Sequence, residues 1–114
     1  MRMTKATKRT SCLVTVLATA VFLLPVAARA DEANEKLFKT KCAACHGADG
    51  KGETPMGKTN KLRDLGSADV QKESDADLTA MISTGKNKMP PYGKSLTADQ
   101  IKGLVGYIRS LAKK

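Results

Sequence analysis

Two cysteines and the only histidine of the chain occupy five consecutive positions, Cys42-Ala43-Ala44-Cys45-His46. Three side chains with thiol or metal chemistry at such short range form one site, and the fold has to be built around it. Few apolar groups are at hand for that. There is no Trp, and after residue 30 the aromatics are Phe38, Tyr92 and Tyr107. A small domain with so thin a core needs a staple such as a disulfide, a metal or a cofactor.

The first thirty residues read as an export leader. Arg2, Lys5, Lys8 and Arg9 make a basic start, Leu13 to Ala28 is almost wholly apolar, and Ala28-Arg29-Ala30 places small residues where a signal peptidase reads them. The apolar run is short for a membrane span and is interrupted by Pro25, so cleavage after Ala30 is expected, with no stable membrane insertion afterwards. Cys12 precedes the apolar run, unlike a lipoprotein site, and Lys8-Arg9 is not a twin-arginine pair. Residues 1–30 are therefore assigned to the leader and 31–114 to a single domain in the periplasm or an equivalent extracytoplasmic compartment. The leader holds five of the 20 basic residues and none of the 11 acidic ones, which leaves residues 31–114 a net charge of +4. That mild excess, without a concentrated stripe of Lys and Arg, excludes nucleic acid binding as the main role.

Along residues 31–114 the pattern is all-α, with three to four helices and long loops. A first helix is expected from Asp31 to Cys42. Residues 47–60 carry Gly47, Gly50, Gly52, Pro55 and Gly57 and read as loop. Ser67 caps a short turn through Gln71. Ser74 starts a helix with Leu78, Met81 and Ile82 on one face and Gly85 at its end. Pro90 and Pro91 hold Asn87 to Lys94 out of helix. Thr97 with Gln100 forms a capping box before Ile101, Leu104, Val105, Ile108 and Leu111 at helical spacing. No stretch alternates with period two for long enough to make a strand.

Against that background the Cys-Ala-Ala-Cys-His stretch has four readings. A disulfide between Cys42 and Cys45 closes a very short loop and contributes little chain-entropy stabilisation. A thioredoxin-like pair needs a βαβ setting that this sequence lacks. A zinc site lacks its fourth ligand once Cys12 is removed. The remaining reading, favoured here, is C-x-x-C-H, the c-type haem attachment signature. Each thiol adds to one vinyl group, so the sulfurs must sit one helical turn apart, and His46 is then placed to ligate the iron. The carbonyl of Pro55 is the expected acceptor for the other ring N–H of His46. Residues 52–59, "GETPMGKT", match the P-loop pattern letter for letter, but no strand precedes them and Pro55 removes a backbone donor, so the match is accidental.

Three methionines follow residue 30. Met81 sits on a helix face with Leu78 and Ile82 and reads as core. Met56 lies ten residues past His46, on a loop expected beneath the same side of the haem. Met89 stands in a segment stiffened by Pro90 and Pro91, and is favoured as the sixth iron ligand over the alternative of a generic apolar plug.

Taken together, "CAACHGADGKG", "GKNKMPPYGKSLTADQI" and "GLVGYIRSL" resemble the small monohaem class I cytochromes c, in particular the bacterial type close to cytochromes c6 and c553. The resemblance spans essentially all of residues 31–114. It implies a class I fold around one covalently bound haem c, its first and last helices crossing near-perpendicularly. By position it implies Cys42 and Cys45 as thioether attachments, His46 and Met89 as iron ligands, and Phe38 and Tyr107 at the helix crossing. It implies a monomeric one-electron carrier, not an enzyme, that meets redox-partner proteins. Asn34 departs from the pattern, since many relatives have Gly there, and Gly106 is expected to restore the room. Lys39, Lys41, Lys51, Lys58, Lys86, Lys88 and Lys94 flank the haem-binding segments, either as a ring that steers acidic partners or as an ordinary solvated surface. Two other classes compete: a gas- or peroxide-reactive haem if Met89 is labile, and a thiol redox pair if no haem is bound. The intact mass of the exported protein is expected to equal residues 31–114 plus one haem, with no free thiol. A chain that retains Cys12, or lacks the haem mass, contradicts this assignment.

Overall fold

The structure, a computed structural model, describes residues 26–113 together with Ala18 and Ala20. Most of the expected leader lies outside the described residues. Six helical segments follow one another: α1 (Val26–Lys41), α2 (Ala43–His46), α3 (Pro55–Thr59), α4 (Ala68–Gln71), α5 (Asp75–Thr84) and α6 (Ala98–Ser110). Among the described residues there is no strand, only an isolated bridge between Lys86 and Met89. The all-α expectation holds, but three long helices and three short ones replace the three to four foreseen.

The helix starts are local chemistry. Thr54 accepts from the Gly57 N–H at 2.9 Å, Ser74 from Asp77 at 3.0 Å, and Thr97 from Gln100 at 3.1 Å. The Gln100 side chain returns to the Thr97 N–H at 2.9 Å and completes the capping box. Two boundaries differ from the sequence reading. α3 stands inside the stretch read as loop, because Thr54 caps it and Pro55 occupies the first helical position with its φ already set. Five residues are too few to display a helical period. α1 begins at Val26 and not at Asp31, because Ala27, Ala28 and Ala30 are good helix formers. That extra turn is exposed throughout, and no described residue before Asn34 is even half-buried.

Packing is concentrated later in the chain. Phe38, Val70 and Leu104 are the most deeply buried side chains, joined by Leu78, Ile82, Leu96, Ile101, Val105 and Ile108. The periodic residues of α5 and α6 are thus the core, except that Met81 and Leu111 are only half-buried. α1 packs chiefly on α6, where the rings of Phe38 and Tyr107 stand 4.8 Å apart at 44°. Arg109 ties α6 to the α4–α5 junction, donating to the Gln71 carbonyl at 2.9 Å, to the Glu73 carbonyl and to the Asp75 carboxylate. Gln71 adds bonds to the carbonyls of Leu65, at 2.8 Å, and Ile108, at 2.9 Å.

The crossing accommodates Asn34 differently from the expectation. A Cβ on Gly106 would meet nothing within 4 Å, so Gly106 makes no room for anything. A Cβ on Gly103 would overlap the side-chain amide of Asn34. The missing side chain that lets the helices meet is therefore at Gly103. Gly106→Ala is expected to stabilise the fold by about 0.5–1 kcal/mol through helix propensity. Gly103→Ala should cost about 1–3 kcal/mol by overpacking. Adding Asn34→Ala should recover much of that loss. Chemical denaturation of the four proteins checks the set, and equal effects at Gly103 and Gly106 would contradict it.

Candidate haem site

The attachment segment grows directly out of α1. The Cys42 N–H donates to the Phe38 carbonyl at 2.8 Å, so the helical path runs on through the end of α1. The N–H groups of Cys45 and His46 both return to the Cys42 carbonyl, at 3.2 and 2.9 Å. Cys42 and Cys45 are thereby one helical turn apart, as double thioether attachment requires. Both are half-buried free thiols.

Behind them the loop after His46 folds back and fixes the turn. Gly52 donates to the His46 carbonyl at 2.7 Å, and the Thr54 hydroxyl donates to the Cys45 carbonyl at 2.6 Å. A Cβ on Gly57 would lie 2.7 Å from that Cys45 carbonyl and would overlap the Gly52 carbonyl. The backbone of α3 thus lies directly against the attachment turn, and only glycine permits it. Thr54 was not foreseen as part of this support, although a threonine just before Pro55 is a recognisable cap signal.

A cavity of about 320 Å³ opens in front of these residues, lined by Cys42, Cys45 and His46 on one segment and by Met89 on another. Met81 lines it as well, so Met81 is a wall residue and not simply core. Met56 is 52% exposed and is not among the lining residues. The structure thus brings four of the expected site residues together, removes Met56 and leaves two methionines facing the same space.

The Met89 segment hangs from the end of α5. Gly85 leaves the helix at φ 68°, and a Cβ there would overlap the Met89 carbonyl. Lys86 and Met89 exchange backbone bonds of 3.1 and 3.0 Å, with Asn87 between them at φ 55°, a conformation Asn tolerates better than most residues. After the prolines, Tyr92 and Gly93 donate to the carbonyls of Ile82 and Ser83, each at 2.9 Å.

Burial shifts the protonation of His46 and Cys42. Burial holds His46 below its ordinary value, which favours the neutral imidazole that can donate a lone pair to iron. Its Nδ1 is buried without a hydrogen-bond partner, so the expected bond to the Pro55 carbonyl is not made. Pro55 is the first residue of α3, and the bond that reaches this turn from α3's start comes from Thr54. Burial, with Cys45 second, pushes the Cys42 thiol up to about 11. A thiol–disulfide exchange catalyst needs the opposite shift.

The foreseen lysine ring is redrawn. Lys41, Lys86 and Lys88 line the cavity, and Lys61, held at φ 53° in the loop after α3, joins them. Nothing in the sequence around Lys61 marked it. Lys39 and Lys58 pair instead with Glu35 and Glu53, and Lys51 and Lys94 are not among the lining residues.

Comparison with known proteins agrees with this geometry. The family profile described as cytochrome c oxidase, cbb3-type, subunit III matches residues 29–108. The chain is 39% identical to cytochrome c6 of Rippkaea orientalis over 98 residues, 82% of this chain and 83% of that one. It is 36% identical to cytochrome c6 of Pyropia yezoensis over 109 residues, 94% and 96% of the two chains. Among solved structures, the KustC0563 c-type cytochrome aligns with a TM-score of 0.66 and 33% identity, covering 70% of this chain and 98% of that one. The chain belongs to the class I c-type cytochromes. Like its cytochrome c6 relatives it is an electron carrier and not an enzyme, and it carries one covalently bound haem c. The residues present fit such a group. Two thiols at one-turn spacing, a half-buried imidazole held toward its neutral form, and a largely apolar cavity with a thioether at its edge are what a c-type cytochrome requires.

Proposed function

We propose that this cytochrome is a soluble, exported, monomeric carrier of single electrons whose haem iron is held between His46 and Met89. The observation that supports the ligand pair is that both residues, from segments more than forty positions apart, line one cavity together with Cys42 and Cys45. Bound there, the haem supplies a one-electron ferric–ferrous couple. Cys42 and Cys45 fasten it, His46 offers a neutral nitrogen donor, and Met89 offers a soft sulfur that favours ferrous iron and raises the potential. Leu78, Ile82 and Leu104 line the cavity and would keep water from the iron of a bound haem. Met89 is preferred to Met81 because it stands outside a helix, on a segment pinned by backbone bonds at both ends. No described helix is long and apolar enough to cross a membrane.

Met89→Ala is expected to leave the haem attached, because Cys42 and Cys45 are untouched. The weak red absorption band of ferric sulfur–iron bonding should vanish and the midpoint potential should fall. Met56→Leu and Met81→Leu should keep the band. Loss of the band in Met81→Leu and its survival in Met89→Ala would reassign the ligand.

The partner face follows from charge. Lys41, Lys61, Lys86 and Lys88 are exposed at the cavity and pair with no carboxylate among the described residues. Unpaired like charges around the electron exit attract an acidic docking surface and speed encounter. Exchanging Lys41, Lys86 and Lys88 together for Gln should slow transfer to an acidic redox protein by about tenfold at low salt. The difference should largely disappear at ionic strengths near 0.1 M, where screening acts within about 10 Å. Stopped-flow rates across a salt series check this, and equal rates at low salt would return these lysines to ordinary surface.

A further inference from the structure

Two separately folded segments meet at the cavity, and what sets their spacing is not evident from either. The attachment segment is anchored on α1 and the α3 loop, the Met89 segment on the end of α5. Among the described residues no backbone hydrogen bond joins residues 38–46 to residues 85–97. One side-chain bond does. The Tyr92 hydroxyl donates to the Lys41 carbonyl at 3.1 Å, across 51 positions of chain. Lys41 is the last residue of α1, where carbonyls lack a partner within the helix, so the bond also satisfies a group that the helix leaves open. It falls directly before Cys42 on one side and three residues after Met89 on the other. The ring of Tyr92 is half-buried at the cavity, and its backbone N–H is fixed to the Ile82 carbonyl at 2.9 Å. A phenol held at its backbone and bonded at its oxygen is a strut of fixed length.

We propose that Tyr92 is a positioning residue for the iron ligands: its hydroxyl, bonded to the Lys41 carbonyl, locks the Met89 segment to the attachment segment and resists departure of the sulfur from the metal. The inference rests on the ligation reading above. When the sulfur leaves, the Met89 segment moves away from the attachment turn, and the Tyr92–Lys41 bond is the one hydrogen bond among the described residues that ties these two segments together. Without the hydroxyl the ring still fills its place, so packing is kept while the tie is lost.

The test is Tyr92→Phe in the ferric holoprotein, with imidazole as the probe that displaces the sulfur. Loss of one hydrogen bond of this kind should raise the displacement rate about 3- to 10-fold. The midpoint potential should fall slightly, and the denaturant midpoint of the reduced protein should change far less than the displacement rate. An unchanged displacement rate overturns the proposal. So does a rate increase matched by an equal loss of global stability, since that is what a merely structural bond would produce. Absence of the sulfur–iron band in the unaltered protein overturns the ligation reading itself, and the strut with it. A band that is present in the unaltered protein, with displacement unaffected in Tyr92→Phe, removes the strut alone.

Discussion

The site depends first on where Phe38 is buried. It is the only buried residue of α1, and its carbonyl receives the Cys42 N–H one turn later. Packing Phe38 against Tyr107 and the α6 core therefore sets the depth and rotation of the attachment turn as well as the helix crossing. A shift of α1 along its axis would carry Cys42, Cys45 and His46 with it. Side chains in cores pack densely and in discrete rotamers, so such a contact has few alternative positions. Asn34 and Gly103, one turn away from Phe38 on the same contact, define how close the helices come.

The second half of the site is hung from the opposite end of that core. Arg109 and Gln71 hold the start of α5 to α6, and Leu78 and Ile82 bury its inner face. Gly85 then frees the chain, and the carbonyls of Ile82 and Ser83 take up Tyr92 and Gly93. Met89 is thus suspended between two fixed points in a segment too constrained by Pro90 and Pro91 to relax into helix. A rigid frame of this kind suits electron transfer, in which the iron changes charge while its ligands hardly move. The cost of an ordered irregular segment is borne by the helices at its ends, since it buries little apolar surface of its own.

Charge divides between the same two roles. Pairs such as Lys39 with Glu35 and Lys72 with Asp69 lie on exposed helix faces, where solvent leaves each of them a small contribution to stability. The lysines at the cavity have no such partners among the described residues. Sequence position alone did not sort one set from the other, because pairing depends on which acids a folded surface brings within reach.

Much of this protein is written in short-range signals. The Cys-x-x-Cys-His spacing, the caps at Ser67, Ser74 and Thr97, the capping box with Gln100, and the proline pair after Met89 each act within four residues. Their chemistry is the same in any fold, so the sequence by itself determined the starts of α4, α5 and α6 and the class of cofactor, and marked Cys42, Cys45 and His46 as the residues to hold it. Other features exist only because distant segments meet. Tertiary structure decided that Gly103 and not Gly106 faces Asn34, that Lys61 joins the cavity, and that Met81 lines it beside Met89. It also left Nδ1 of His46 without the Pro55 carbonyl and gave the Tyr92 hydroxyl the carbonyl of Lys41. Those outcomes are set by helix-crossing angles and loop closure over tens of residues. A displacement of an ångström or two exchanges one neighbour for another there, while leaving every local signal in the sequence unchanged.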